Sequence, residues 1–283
     1  MTKFVNTLIV LATLALVSLP VIYDQLPTEI ARWYLASAAN RVSRGEPVDA
    51  QLAQARAWGG ELSELRDYWL LRCEQALATS PASVASVVSE AVARDPAYFD
   101  IGYHMAQRLA EHAEFAEAVA VLEAALVGEL RQVPRILNEL AYFRALAGIE
   151  LDRALQDIER ALEANPDAPE QRDTRAWVLF QMGRPQEALA DADFAVQAFD
   201  RLGPRTTLEK GLAWLEQRIA PPPEPRSAEQ TLTRREAGEL LWDRGAVHYH
   251  RAKILEALGR SEEAQEEFDW LHKHRLPADE RIY

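Results

Sequence analysis

The stretch DTRAWVLFQMGRPQEALADADFAVQ, residues 173–197, has the pattern of two short helices joined by a tight turn. Apolar and small residues recur at spacings of three and four on both sides of a Gly-Arg-Pro sequence, which is the period of a helix that buries one side. Gly183 can adopt the left-handed backbone that ends a helix, and Pro185 fits the first turn of the next one, where no N–H is needed. The stretch therefore predicts an antiparallel helical hairpin.

The same pattern recurs along the chain. In the quoted stretch Ala176 and Gly183 form a pair of small residues seven positions apart. Five other pairs have that spacing: Ala38 and Gly45, Cys73 and Ser80, Ala106 and Ala113, Ala141 and Gly148, and Ala252 and Gly259. From the first pair to the pair in the quoted stretch, consecutive pairs are 33 or 35 residues apart. A fixed period of this length predicts a repeat protein in which each unit packs on its neighbours.

Two further small positions lie in the second helix of each unit. The first follows the opening small residue by 12 positions, or by 13 in the Ala141 unit: Ala50, Ala85, Ala118, Ala154, Ala188 and Ala264. The second lies seven positions later: Ala57, Val92, Ala125, Ala161, Ala195 and the larger Leu271. Small side chains let paired helices approach closely, so we expect these positions to be buried in an all-α fold.

This arrangement resembles the tetratricopeptide repeat family, whose units carry small residues at the eighth, twentieth and twenty-seventh positions and often end in proline. The best-matching units are LNELAYFRALAGIELDRALQDIERALEANP, residues 137–166, and the stretch quoted above. The early tryptophan of the family is missing here, and Asp200 stands where a proline is expected. The resemblance covers about residues 30–273. It implies a right-handed superhelical solenoid of antiparallel helix pairs, with a concave groove lined by the first helix of each pair.

The resemblance also indicates which side chains face that groove. They lie three residues before and one residue after the first small position, or close beside these: Tyr103, Gln107, Arg135, Asn138, Tyr142, Asp173, Trp177, Tyr249, His250 and Lys253. Aromatic side chains next to amides and charges suit recognition of an extended peptide or a helix. The alternative is that Tyr142 and Trp177 simply pack between units. The carboxylate-binding residue set of some family members is not reproduced here, so that ligand class is not predicted.

A proline-rich segment interrupts the array, because the four prolines between Pro221 and Pro225 cannot continue a helix. We interpret it as a surface loop; a docking ligand for a proline-binding module is the alternative. An additional, atypical unit is expected within residues 204–243. The predicted organisation is an anchor over residues 1–26, repeats over 27–219, the proline-rich loop over 220–232, and a final unit with a cap over 233–283.

The N-terminal segment FVNTLIVLATLALVSLPVIY, residues 4–23, has no charge over 20 positions. As a helix it would match a hydrocarbon core of about 30 Å. A cleaved signal peptide is the alternative, although the residues after its apolar core are bulky rather than small. We predict a single transmembrane helix before the repeats and a single-pass membrane location. Because Lys3 and the terminal amine favour the cytoplasmic side, the soluble part is expected to be extracytoplasmic, and periplasmic if the source is bacterial.

Composition and motifs argue against several functions. The formal net charge of -13 disfavours nucleic-acid binding. Cys73 is the single cysteine, which excludes an intrachain disulfide and favours a buried, inert thiol. No phosphate-binding loop, dinucleotide fingerprint or serine-hydrolase elbow is present. The pairs His248/His250 and His272/His274 lie on predicted helices, where residues two apart point about 200° apart and cannot chelate one ion. We interpret them as surface or groove histidines, and predict no catalytic residue, metal or cofactor.

The sequence therefore predicts a membrane-anchored scaffold or adaptor, without catalysis, that binds a partner protein or peptide in the groove of its repeats. The alternative is a permanent structural or assembly subunit of a membrane-associated complex. An enzyme or small-molecule-binding module is the third hypothesis, and no motif in the sequence favours it.

Overall fold

The computed structural model describes residues 25–42, 44–58, 66–202 and 244–274, together with Tyr23, Leu276 and Ala278. Every regular element in this part of the chain is helical, which confirms the prediction of an all-α fold. The chain divides into two compact units, Met1–Val127 with helices α1 to α6 and Gly128–Tyr283 with helices α7 to α12. The helices are α1 (residues 25–42), α2 (Asp49–Trp58), α3 (Arg66–Thr79), α4 (Val84–Arg94), α5 (Phe99–Glu111), α6 (Phe115–Ala125), α7 (Pro134–Ala147), α8 (Leu151–Ala164), α9 (Pro169–Gln181), α10 (Pro185–Leu202), α11 (residues 244–257) and α12 (Ser261–Lys273).

The turns inside the hairpins have the backbone that the small-residue spacing predicts. Five of the six turn positions are left-handed, with φ between 60° and 74°: Gly45, Ala113, Gly148, Gly183 and Gly259. After Gly183, the Arg184 N–H donates to the carbonyl of Leu179 at 2.9 Å, so the chain reverses while the last helical carbonyls remain bonded. Ser80 is the exception, with φ -161°. It precedes Pro81, which disfavours the helical backbone for the residue before it.

Ala113 occupies a left-handed turn without being a glycine, at φ 60°. A side chain raises the energy of this backbone by more than glycine adds to the freedom of the unfolded chain, so Ala113→Gly is expected to stabilise the protein by roughly 0.5–1 kcal/mol. Gly183→Ala is the matched reverse substitution, at φ 74°, and is expected to destabilise by about 1 kcal/mol. Urea unfolding followed by circular dichroism measures both changes. Opposite signs are expected; a loss in both variants would contradict this account of the Ala113 turn.

The repeat register is confirmed at the first small position of every unit, because Ala38, Cys73, Ala106, Ala141, Ala176 and Ala252 are all buried. The two small positions of the second helix are likewise buried in the four repeats whose first small residues are Ala106, Ala141, Ala176 and Ala252. The first repeat, which contains Ala38, requires a correction, because Ala50 and Ala57 are exposed. Helix α2 instead buries Leu52 and Ala55, so its apolar side is set by different residues from those the small-residue spacing selects. In the second repeat, which contains Cys73, Ala85 is only half-buried.

Consecutive helices pack as hairpins within each repeat, as in α5 with α6, α7 with α8, and α9 with α10. One approach is unusually close. A Cβ added at Gly102 on α5 would lie 2.4 Å from the Cβ of Ala125 and 2.8 Å from Cγ1 of Val88. Only glycine leaves room for α4 and α6 to contact α5 at this point, because contacts this short do not occur between real carbon atoms.

Helix α11 packs directly on the α9–α10 hairpin in the second unit. Ile254 belongs to a buried cluster with Ala176 and Ala188, and Val247 to another with Phe199. Residues 203–243, which include the proline-rich segment and the expected additional unit, lie outside the described residues. The described hairpins on either side of that segment are therefore direct neighbours.

The structure corrects the prediction of a transmembrane helix. Among the described helices, none has both the length and the apolar character that crossing a membrane requires. The apolar segment 4–23 itself lies outside the described residues, apart from Tyr23. The single-pass membrane location, with its extracytoplasmic soluble part, depended on that helix and is corrected with it.

Candidate functional site

Three aromatic rings of the second unit form a buried layer between α9 and α11. Trp177 is fully buried and stacks on His250, with ring centroids 4.2 Å apart and planes 23° apart. Tyr249 lies against the same tryptophan at 6.2 Å. We call Trp177, Tyr249 and His250 the aromatic floor. All three are in the interior, so they support the surface above them instead of forming it.

A buried carboxylate fixes the position of His250. Asp173 lies one turn before Trp177 on α9, so both side chains face α11. Its Oδ2 is 2.9 Å from Nδ1 of His250 and its Oδ1 is 3.1 Å away. A carboxylate and an imidazole can form an acid-base pair in enzymes, but here the ring is fully buried beneath a tryptophan. No substrate can reach it in this conformation, which favours a structural role for the pair.

Four of the sequence-predicted residues lie at the edge of this floor, and we call them the rim: Arg135, Asn138, Tyr142 and Lys253. Tyr142 is half-buried and meets the ring of His250 edge-on at 5.9 Å. Arg135 is exposed and Asn138 half-buried, and both lie on the same side of α7 as Tyr142 because the spacings are three and four. Lys253 follows His250 on α11 by three residues and pairs with Glu256 at 2.7 Å. The rim is the part of the predicted site that another molecule can contact.

Two buried polar atoms in this region have no hydrogen-bond partner in the described part of the chain: Oδ1 of Asn138 and Nε1 of Trp177. A buried polar atom left unpaired costs about 1–3 kcal/mol. Although Asn138 as a residue is half-buried, its Oδ1 is enclosed and is not open to a bound molecule. Trp177 is enclosed, so its N–H is a feature of the interior.

Tyr103 and Gln107, the two remaining predicted residues, belong to α5 of the first unit. Both are half-buried, and Tyr103 lies 6.0 Å from the ring of Phe99.

Sequence reasoning missed a second polar network on the opposite side of α11. His248 Nδ1 contacts the carboxylate of Glu267 on α12, and its ring stacks on Trp270 at 3.7 Å. Arg251 contacts the same Glu267 and donates to Asp193 of α10 at 2.7 Å. Burial acts to lower the pKa of Arg251, but the hydrogen bond with Asp193 and the charge of Glu267 together raise it. The network joins α10, α11 and α12, and its members gave no motif because they come from three separate segments.

The two histidines of the His248/His250 pair point to different neighbours, as their helical spacing predicts. His248 faces Glu267 of α12, whereas His250 faces Asp173 of α9. The interpretation of this pair as surface or groove histidines is corrected, since both rings are buried. In the second pair His272 is exposed, and His274 stacks on Trp270 at 3.9 Å. Within the described residues, no group of three or more histidine, cysteine or acidic side chains is arranged to hold a metal ion.

No family model matches this chain, and no curated protein matches it. Matches among solved structures include a mutant form of MamA, at 16% sequence identity and a TM-score of 0.37, covering 64% of this chain and 97% of that one. A likeness at this level does not bear on function. The hairpin fold described here rests on the turn geometry and on the buried register of small residues.

Proposed function

We propose that this chain is a non-catalytic protein-interaction scaffold that holds a segment of a partner protein against the rim of its second unit. The observation that carries the proposal is the contrast between rim and floor. Polar and aromatic groups that another molecule can contact lie beside a buried layer of stacked rings. A surface supported in this way loses little conformational freedom on binding, which favours affinity.

The chemistry of the rim suits a peptide segment. Tyr142 offers an aromatic edge and Arg135 an exposed cationic side chain, while the half-buried Lys253 is paired with Glu256. Tyrosine and arginine are also enriched among residues that contribute most to protein–protein binding.

Affinity capture with a tagged full-length chain tests the proposal. The double variant Asn138→Ala with Tyr142→Ala removes the amide and the aromatic edge of the rim and leaves the three floor residues themselves unchanged. We expect it to lower recovery of a specific partner by about tenfold or more, as loss of central contact residues does. Trp177 is left intact here, because its burial would confuse loss of binding with loss of structure.

The matched control is Asn165→Ala with Gln197→Ala, two exposed polar residues of the same unit outside the rim. Recovery should stay at the wild-type level in the control. Equal recovery with both double variants, measured by quantitative mass spectrometry while circular dichroism is unchanged, would contradict the assignment of the rim.

A further inference from the structure

An exposed apolar stripe runs along α1 of the first unit. Tyr23, which is also helical, is 83% exposed, Leu26 is 50% exposed and Trp33 is 65% exposed, while Ile30 between them is half-buried. The spacings of three, four and three place the four side chains on one side of a helix. Another side of α1 packs into the unit through Ala31, Leu35 and Ala38. We call Tyr23, Leu26, Ile30 and Trp33 the α1 stripe.

The stripe contrasts with α12, which is the last helix of the second unit. The exposed residues of α12 are polar: Ser261, Glu262, Gln265, Glu266, Asp269, His272 and Lys273. Terminal helices of repeat proteins need such a polar surface to stay soluble. Contiguous apolar surface on a folded unit marks a place where something else binds. Among the described residues, the other exposed large apolar side chains are Trp58, at the end of α2, and Val133, just before α7, and each occurs singly.

The stripe is symmetric in its own sequence. Tyr23 and Trp33 lie five residues on either side of position 28, and Leu26 and Ile30 lie two residues on either side of it. Two copies of α1 placed antiparallel about a two-fold axis would therefore bring Trp33 of each copy to Tyr23 of the other, and Leu26 to Ile30. A two-fold interface requires this self-complementarity, because the same surface serves both partners.

Charge beside the stripe does not oppose such pairing. Although the chain carries a net charge of -13, the nearby Glu29 and Arg32 are bonded to each other at 2.7 Å. The two charges cancel, so two copies of this helix meet without local repulsion. We propose that the α1 stripe is the interface of a homodimer, in which α1 of one copy packs antiparallel on α1 of a second copy of this chain.

The apolar area that the stripe can bury is small, which indicates a weak dimer. One buried aromatic side chain contributes about 150–250 Å². The partly exposed residues of the stripe therefore supply roughly 400 Å² per copy, or about 800 Å² in total, which lies below the standard range and among weak, transient interfaces. The dimer is accordingly expected to be weak and reversible.

Sedimentation velocity over a range of concentrations tests the proposal on the full-length chain. Trp33→Ala is expected to weaken self-association by about tenfold or more, because it removes the largest side chain of the stripe. Trp58→Ala is the matched control: it removes a tryptophan that is 46% exposed on α2, and it should leave association unchanged. A wild-type chain that stays monomeric, or an equal effect of both substitutions, would overturn the proposal.

Cysteine crosslinking provides a second readout that does not depend on one variant. Burial raises the pKa of Cys73 to about 12, so the native thiol reacts little. A short bis-maleimide should link two chains that carry Leu26→Cys, because the two positions lie close across the two-fold axis. It should not link chains that carry Ala39→Cys, which is exposed on the other side of α1.

Each other outcome counts against the dimer. Links formed equally by both variants would indicate random collision. No link with Leu26→Cys, at concentrations where the chain sediments as a dimer, would place the interface elsewhere. Because the stripe and the rim lie on different units, a wild-type chain that stays monomeric but still captures its partner would overturn this inference alone.

Discussion

Replacing Trp177 by alanine is expected to lower the free energy of unfolding by about 3–5 kcal/mol. The side chain is fully buried and contacts rings on both sides, with Phe180 stacked at 5.0 Å and His250 at 4.2 Å. It belongs to a core cluster with Leu137 and Ile158, from α7 and α8. Truncation would leave a cavity where three hairpins meet, and His250 would lose the surface against which Asp173 holds it.

Urea unfolding followed by far-UV circular dichroism measures this loss. Trp177→Phe should cost less, since it keeps one aromatic ring, although it gives up the rest of the indole, including an N–H that has no partner among the described residues. Trp58→Ala, at an exposed tryptophan, should cost less than about 1 kcal/mol. A loss below about 1 kcal/mol in Trp177→Ala as well would mean that this tryptophan does not hold the second unit together.

Asp157→Ala is expected to cost about 2–3 kcal/mol, because it leaves a buried guanidinium with fewer partners. Arg144 is fully buried on α7, and its Nη1 donates to Oδ2 of Asp157 on α8 at 2.5 Å. A second carboxylate, Glu150, accepts from Nε at 3.1 Å but is half-exposed. Water therefore competes for Glu150, whereas Asp157 is the better-shielded counter-charge.

The control for this prediction is Asp152→Ala, which removes an exposed carboxylate from the same helix and should be nearly neutral. A double variant, Asp157→Ala with Arg144→Leu, removes both members of the pair. We expect it to recover part of the lost stability, because an apolar side chain is cheaper to bury than an unpaired charge. If the single Asp157 variant unfolds at the wild-type urea concentration, the pair contributes nothing to the α7–α8 hairpin.

The hairpins could be predicted from spacing because their turns depend on local chemistry. A small residue seven positions after a buried alanine gives the left-handed turn at Gly148, Gly183 and Gly259, and this holds even where the residue is Ala113. The register of α2 could not be predicted in this way. Leu52 bears more apolar surface than Ala50, so its burial is worth more and rotates the helix away from the small-residue positions.

The side of the helix that each candidate-site residue occupies could be predicted from its spacing, but its burial could not. Spacing along α9 places Asp173 and Trp177 on one side, and both do face α11. Whether such a side chain lies in the interior or at the rim depends on what covers it. Here the cover is His250, which is 77 residues from Asp173 in sequence. The network around Glu267 was missed for the same reason, since it forms only when α10, α11 and α12 have packed.

The most direct test of the proposed scaffold role is site-specific photo-crosslinking from the rim. A photoreactive amino acid placed at Arg135, exposed on α7, is compared with the same group at Arg160, exposed on α8, in the full-length chain in its native cells. We predict that position 135 links one protein reproducibly, that position 160 does not, and that the link is lost with Asn138→Ala and Tyr142→Ala. The same set of linked proteins at both positions, or links at position 135 that survive the double substitution, would contradict a partner held at the rim.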